Sequence, residues 1–301
     1  MKKLFFLLVL LPCALISQQS ADTTYHPEIK DPAYADKTGP VVCIDEGHHN
    51  FHTMNGRYKP FAMLLERDGY NVEAFPGTFR AGELESCTIL VIANALSDRA
   101  EDYTIPDPSA FTEKEIETLK QWVSEGGSLF LIADHMPMAD ASKDLAGAFD
   151  FKFTNGFVFD SQNRGIAFFR LEDNTLADCI ITRGRDQGEN IHEVVTFTGQ
   201  AFQIPDAATS ILTFSEGFVN FLPDTAWVFD ETTARLDAGG WSQGAFMEFG
   251  KGKIAVFGEA AMFTAQVAGP ERRKAGMNSE YAPENYLFLL NIIHWLDGKL
   301  D

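Results

Sequence analysis

The sequence predicts an α/β fold: an open parallel sheet with helices on both faces and a β-rich insertion at about residues 151–224. Three observations predict it. Short apolar runs alternate with amphipathic helical segments from Pro40 to Asp134, and strand–helix–strand repeats impose a parallel sheet. Residues 88–94 and 128–134 are continuously apolar, as in strands covered on both faces. After Phe151 the helical periodicity fades, and β-like runs appear around 157–159, 194–197 and 210–214.

Each element has its own signal. Residues 1–20 read as a secretory signal peptide: Lys2 and Lys3 precede an apolar run over 4–17, shorter than the roughly 20 residues of a membrane-spanning helix. Cys13 lies within that run, but Pro12 is a poor small residue ahead of a lipidated cysteine. Residues 21–39 are polar and read as a linker or N-terminal arm; 40–301 form the α/β domain. Residues 40–45 make a first strand that ends in a carboxylate. Over 56–69 Tyr58, Phe61, Ala62, Leu64 and Leu65 share one helical side, and Gly69 stops the helix. Residues 71–75 and 88–94 are the second and third strands. A helix over 112–125 opens on a capping box, Thr112 with Glu115, and buries Ile116, Leu119, Trp122 and Val123 before Gly126-Gly127. The fourth strand covers 128–134. A hairpin of 244–249 and 253–258 turns through Gly250-Lys251-Gly252, and 284–296 form the last helix.

Composition narrows the function. The 301 residues carry 24 Lys+Arg against 43 Asp+Glu, a net charge of −19. Nucleic-acid binding depends on basic side chains that neutralise phosphates, and attachment to anionic membranes needs the same; neither class fits. After the leader three cysteines remain. Cys43 reads as a small core residue of the first strand, and a Cys87–Cys179 bridge stands open in an oxidising compartment. No P-loop and no G-x-G-x-x-G follows a strand, so no nucleotide cofactor is implied, and no G-x-S-x-G elbow is present.

The chemistry concentrates at strand ends. In open parallel sheets ligands bind beyond the carboxyl ends of the strands, near the point where strand order reverses. The first strand delivers Asp45-Glu46-Gly47-His48-His49-Asn50-Phe51-His52, the third Asn94, the fourth Asp134-His135 and the last Glu259. Carboxylates and imidazoles suit Zn²⁺ and related cations. Asp45, His48, Asp134 and Glu259 are the expected metal ligands, with Glu46, His49 and His135 as catalytic residues and Asn50 and Asn94 as substrate contacts. Such a cation would polarise a carbonyl or activate water. Two other readings stay open. His135 is a general base without metal in one; in the other, Glu259 caps the loop over 260–263 and the loop histidines are solvated. His26, His192 and His294 read as bland. Phe151, Phe153, Phe157, Phe159, Phe168 and Phe169 read either as the rim of a sugar site or, more commonly, as core.

Several segments carry a family resemblance: Val42-Cys43-Ile44-Asp45-Glu46-Gly47-His48, then Trp122-Val123-x-x-Gly126-Gly127 leading into Leu129-Phe130-Leu131-Ile132-Ala133-Asp134, then Gly250-Lys251-Gly252-Lys253-Ile254-Ala255-Val256-Phe257-Gly258-Glu259, and finally Asn285 with Asn291-x-x-x-Trp295-Leu296. From Pro40 to Asp297 the chain resembles the class I glutamine amidotransferase-like superfamily, in particular an uncharacterised branch of envelope and gliding-associated domains. The resemblance implies a flavodoxin-like sheet. It does not carry the amidotransferase activity. That family's catalytic cysteine sits in a Gly-x-Cys-x-Gly elbow after the strand matching residues 128–134, where this chain has Ala133-Asp134-His135-Met136-Pro137.

The expectation is an exported, periplasmic or extracellular, hydrolase-like protein, metal-assisted or not, acting on a small polar or carbohydrate-derived ligand. The competing expectation is a non-catalytic ligand-binding or scaffold domain of the cell envelope.

Overall fold

The structure, a computed structural model, describes residues 19–100, 103–160 and 166–300. The leader expected at 1–20, with Cys13, falls outside the described residues except for Gln19 and Ser20.

The architecture is mixed α/β around a seven-stranded, mostly parallel sheet. Its strands are β1 (Val41–Asp45), β2 (Asn71–Phe75), β3 (Ile89–Ala93), β4 (Ser128–Ile132), β5 (Thr209–Thr213), β6 (Ser242–Phe249) and β7 (Gly252–Phe257). Their spatial order is β2-β1-β3-β4-β7-β6-β5. The first five in that order run parallel; β6 and β5 extend the edge antiparallel. The chain moves from β1 outward to β2 and then back to β3 on the other side, so strand order reverses between β1 and β3.

Alternation along the strands builds two cores. Val42, Ile44, Val91, Phe130, Ile132, Ala255 and Phe257 point to one face, packed against helices α1 (Lys59–Arg67) and α3 (Asn285–Leu296). Cys43, Leu90, Ile92, Leu129, Leu131, Ile254 and Val256 point to the other, packed against α2 (Glu113–Glu125). Both faces are covered, which is why these strands are apolar at successive positions.

Helix starts and stops follow local chemistry. Thr112 accepts a hydrogen bond from the Glu115 amide while the Glu115 carboxylate accepts from the Thr112 amide, completing the capping box. Proline in the first turn starts α1, two to three residues later than the sequence suggests. The chain leaves α1 through Gly69 at φ +93, where a Cβ would lie 2.3 Å from the Tyr34 carbonyl oxygen; only glycine fits there. His294, in α3, is fully buried and pairs with Asp68 at 2.7 Å, a structural role.

The cysteine expectations need correction. Cys43 is not a free core thiol, and Cys87 does not pair with Cys179. Cys43 and Cys87 form a disulfide with Cα atoms 5.7 Å apart, and Cys179 is free. The register explains it: Cys43 sits opposite Leu90 across the β1–β3 ladder, and Cys87 enters β3 just ahead of Ile89. Converting both cysteines to serine should cost about 2–4 kcal/mol, the usual value of such a cross-link. Denaturant unfolding checks this: the wild type with reductant should match the double variant.

Residues 151–224 are strand-rich, but their strands go to three different sheets. Phe157–Asp160, Phe218–Leu222 and Ala234–Asp237 form one small antiparallel sheet; Ala167–Arg170 and Glu193–Thr196 form a ribbon; Thr209–Thr213 is β5 of the main sheet. In the arm, Ser20–Ala21 pairs with Ala265–Ala268, which pairs in turn with Arg273–Gly276. Among the described residues no helix is long and apolar enough to cross a membrane.

Candidate functional site

A crevice of 640 Å³ opens at the carboxyl ends of the parallel strands. The segment after β1 supplies Phe51, His52 and Arg57; the end of β3 supplies Asn94; the segment after β4 supplies Asp134 and His135; the end of β7 supplies Glu259. Tyr103 and Trp227 add aromatic walls, and Gln266 closes one side.

The turn after β3 is local chemistry. Asn94 takes a left-handed conformation (φ 51), which asparagine tolerates better than most residues. Its side-chain oxygen accepts from the Asp134 amide at 2.9 Å, so the β3 and β4 ends are tied together. The Asp134 carboxylate accepts from the His135 amide at 2.9 Å. The His135 ring stacks on Phe157 (centroids 4.2 Å apart) and meets the edge of Trp227 at 4.7 Å. Its Nδ1 donates to the Met136 carbonyl at 2.8 Å. A carbonyl can only accept, so a neutral ring is held as the Nδ1–H tautomer and Nε2 keeps its lone pair. Asp134 Oδ1 lies 3.7 Å from that Nε2, placed to stabilise a proton once it arrives.

Glu259 is fully buried. Burial, with the Asp134 charge adding to it, pushes its pKa well above the carboxylate range, although the amides of Ala261 and Met262 donate to its two oxygens at 2.9 and 2.7 Å and oppose the shift. The crevice therefore sets the Asp134 side chain beside a buried acid whose pKa is raised. An infrared spectrum at neutral pH should show a protonated-carboxyl band that is missing from Glu259→Gln; its absence from the wild type would mean that Glu259 is ionised. The capping reading of Glu259 holds as well: its oxygens cap the turn Ala261–Phe263.

The predicted residues divide. Asn94, Asp134, His135 and Glu259 meet in the crevice. Asp45, His48 and Asn50 do not line it. They form a buried brace beneath the β1 end. His48 Nδ1 lies 3.0 Å from both Asp45 oxygens, and its Nε2 lies 3.1 Å from Glu115 Oε1. Asn50 donates to Asp45 at 2.8 Å and accepts from the His48 amide. The ring is enclosed between Phe79 and Phe111. Burial pulls the His48 pKa down, but hydrogen bonds and charge from Asp45 and Glu115 outweigh it and raise it above the ordinary 6.5. Burial likewise pushes Glu115 up, and Thr112 and His48 more than reverse it, leaving its pKa lowered.

These positions change the sequence assignments. With both ring nitrogens engaged, His48 has no lone pair to give a cation, and the expected donors Asp45, His48, Asp134 and Glu259 lie in two separate places. Among the described residues no group of three or more His, Cys, Asp and Glu could hold a metal ion. Glu46 accepts from the Met54 amide at 2.8 Å and shapes the loop. His49 is exposed, with a left-handed backbone (φ 49). Phe151, Phe153 and Phe169 are core, whereas Phe157 is the floor on which His135 stacks.

Sequence reasoning missed Arg57, Gln266 and Trp227, and set no role on His52. The first was read as part of the helix over 56–69, but the helix starts at Lys59 and leaves Arg57 in the turn before it. Gln266 belongs to a short strand of a small sheet between the N-terminal arm and Arg273–Gly276. Trp227 is 57% exposed, and an exposed tryptophan between Pro223-Asp224 and the acidic turn Asp230-Glu231 was the available signal.

No protein-family model and no curated protein matches the chain. Solved structures do resemble it. The mmIFT52 N-terminal domain aligns with a TM-score of 0.59 at 15% identity, covering 85% of this chain and 97% of that one. Cytoplasmic protein STM3548 from Salmonella typhimurium gives 0.51 at 14% identity, covering 85% and 98%. A ThuA-like protein from Bacteroides uniformis ATCC 8492 gives 0.47 at 11% identity, covering 90% and 94%. The first two share this chain's fold; at such identities the likeness says nothing of side-chain chemistry.

Proposed function

We propose that the chain is an exported, hydrolase-like protein of the class I glutamine amidotransferase-like superfamily, with a flavodoxin-like sheet and no cysteine nucleophile. Its crevice binds a small polar or carbohydrate-derived ligand and uses His135 as general base. The strand order β2-β1-β3-β4-β7 and the sequence motifs support the fold assignment. The signal-peptide pattern and the Cys43–Cys87 disulfide support export.

One observation carries the catalytic reading: His135 is fixed as the tautomer whose Nε2 can take a proton, beside Asp134, at the rim where parallel sheets bind ligands. His135 Nε2 removes a proton from water as the water attacks an electrophilic carbon. Asp134 stabilises the imidazolium, and the same proton then passes to the leaving group. The raised pKa of buried Glu259 favours its uncharged form, and the aromatic walls offer apolar faces to a sugar ring or acyl group.

A panel of chromogenic esters and glycosides, run with and without chelator, tests the reading. Turnover by the wild type and its loss in His135→Ala are expected. Turnover lost with chelator and restored by Zn²⁺ would replace the metal-free step with a cation-assisted one. Ligands that raise the melting temperature without any turnover would make this the non-catalytic binding domain instead.

A further inference from the structure

One end of the crevice has chemistry the general-base step does not use. Arg57 lines it, half-buried, with its guanidinium carbon 3.9 Å from the centroid of the Phe51 ring. Among the described residues Arg57 makes no hydrogen bond and no ion pair, although acidic side chains outnumber basic ones 43 to 24. Two further lining groups are buried and unsatisfied. His52 is 4% exposed with Nδ1 unpartnered, and Gln266 is 3% exposed with Oε1 unpartnered. Buried polar groups are normally hydrogen-bonded, so two orphaned side chains beside an unpaired guanidinium, all in the lining of one crevice, point to a missing ligand.

We propose that Arg57, His52 and Gln266 form a subsite for an anionic oxygen group, carboxylate or phosphate, carried by the ligand of the crevice. This deepens the reading of the crevice as a ligand site and rests on it. Stacking on Phe51 takes one face of the guanidinium and leaves its in-plane N–H fork free, the geometry that grips carboxylates and phosphates with two parallel hydrogen bonds. Arg99, which donates to the Asn50 carbonyl and has its guanidinium carbon 5.6 Å from the centroid of the same Phe51 ring, keeps this end positive. His52 adds no charge: burial, with Arg57 and Arg99 nearby, drives its pKa down to about 3, so it acts as a neutral hydrogen-bonding group. Gln266 brings an uncharged amide whose N–H₂ can turn to an anion. The ligand then has two ends, an anionic one at Arg57 and a reacting one at His135.

Calorimetric titration of the full chain with D-glucuronate, glucose 6-phosphate and D-glucose tests this, using the wild type, Arg57→Gln and Arg57→Lys. At least one anionic sugar should bind about tenfold or more tightly than glucose, the worth of one charge-assisted hydrogen-bond pair. Glucuronate against glucose 6-phosphate tells carboxylate from phosphate. Arg57→Gln should abolish the preference and Arg57→Lys should keep part of it. An unchanged preference in Arg57→Gln, or no anion binding by a wild type that melts normally, would overturn the subsite. The two readings separate in His135→Ala, which should keep anion binding while losing turnover. Turnover of neutral substrates untouched by Arg57→Gln, with no anion preference, would remove the subsite and leave the general base standing.

Discussion

Replacing His135 by alanine should lower kcat by about 10²- to 10⁴-fold, the range that a positioned general base contributes. Stability should change little by comparison. The ring is at the crevice wall, its one strong hydrogen bond runs to a neighbouring carbonyl, and its main contacts are the faces of Phe157 and Trp227. His135→Gln is the informative partner variant, since it keeps polarity and much of the volume but cannot accept and return a proton. Both variants should lose turnover on the substrate found by the panel while retaining ligand-induced stabilisation. Steady-state kinetics alongside melting curves checks this. Full activity in either variant would remove His135 from the reacting centre.

His48→Ala should act in the opposite way, on stability. The change leaves Asp45 and Glu115 facing a cavity without their partner; breaking a buried ion pair by removing one member costs about 3–5 kcal/mol. For a domain of this size that corresponds to a fall in melting temperature of roughly 10 °C. The pH dependence follows from the two shifts. His48 has a raised pKa in the folded state, so its contribution is fully present below the unfolded value of 6.5 and is lost as pH rises through the folded one. Glu115 has a lowered pKa, so its contribution is present above the unfolded value of 4.5 and is lost as pH falls through the folded one. Stability carried by the pair should therefore peak between these limbs. Glu115→Gln should flatten the acid limb and His48→Gln the alkaline one, as read from melting temperature against pH. A wild-type profile with no alkaline decline would mean that His48 is neutral.

What could be read from the chain was what is local in it. Residues 71–75 are a strand because their pattern is self-contained, and Thr112 with Glu115 marked the start of α2 because a capping box spans three residues. The crevice was half legible for the same reason: Asn94, Asp134, His135 and Glu259 each end a strand, and parallel strands bring their ends to one rim. The brace was not. Glu115 gives one oxygen to the cap and the other to His48 and the Phe79 amide, and nothing in residues 112–125 signals that second contact. The histidine cluster after β1 looked like a metal site because composition does not say which way each side chain points; three residues of turn send His48 down into the core and leave His49 outside. The disulfide was harder to read: β1 and β3 are neighbours, but Cys87 lies just ahead of β3, three residues before the Leu90 that faces Cys43.

The two imidazoles divide the labour, His135 reactive at the crevice and His48 locked beneath it. Nitrogen-15 correlation spectra of the histidine rings, recorded through neutral pH, measure it directly. Whenever its ring is neutral, His135 should carry the proton on Nδ1 and leave Nε2 bare, and His48 should stay protonated on both nitrogens at a pH where a free imidazole has become neutral. A neutral His48, or a His135 carrying its proton on Nε2, would contradict it.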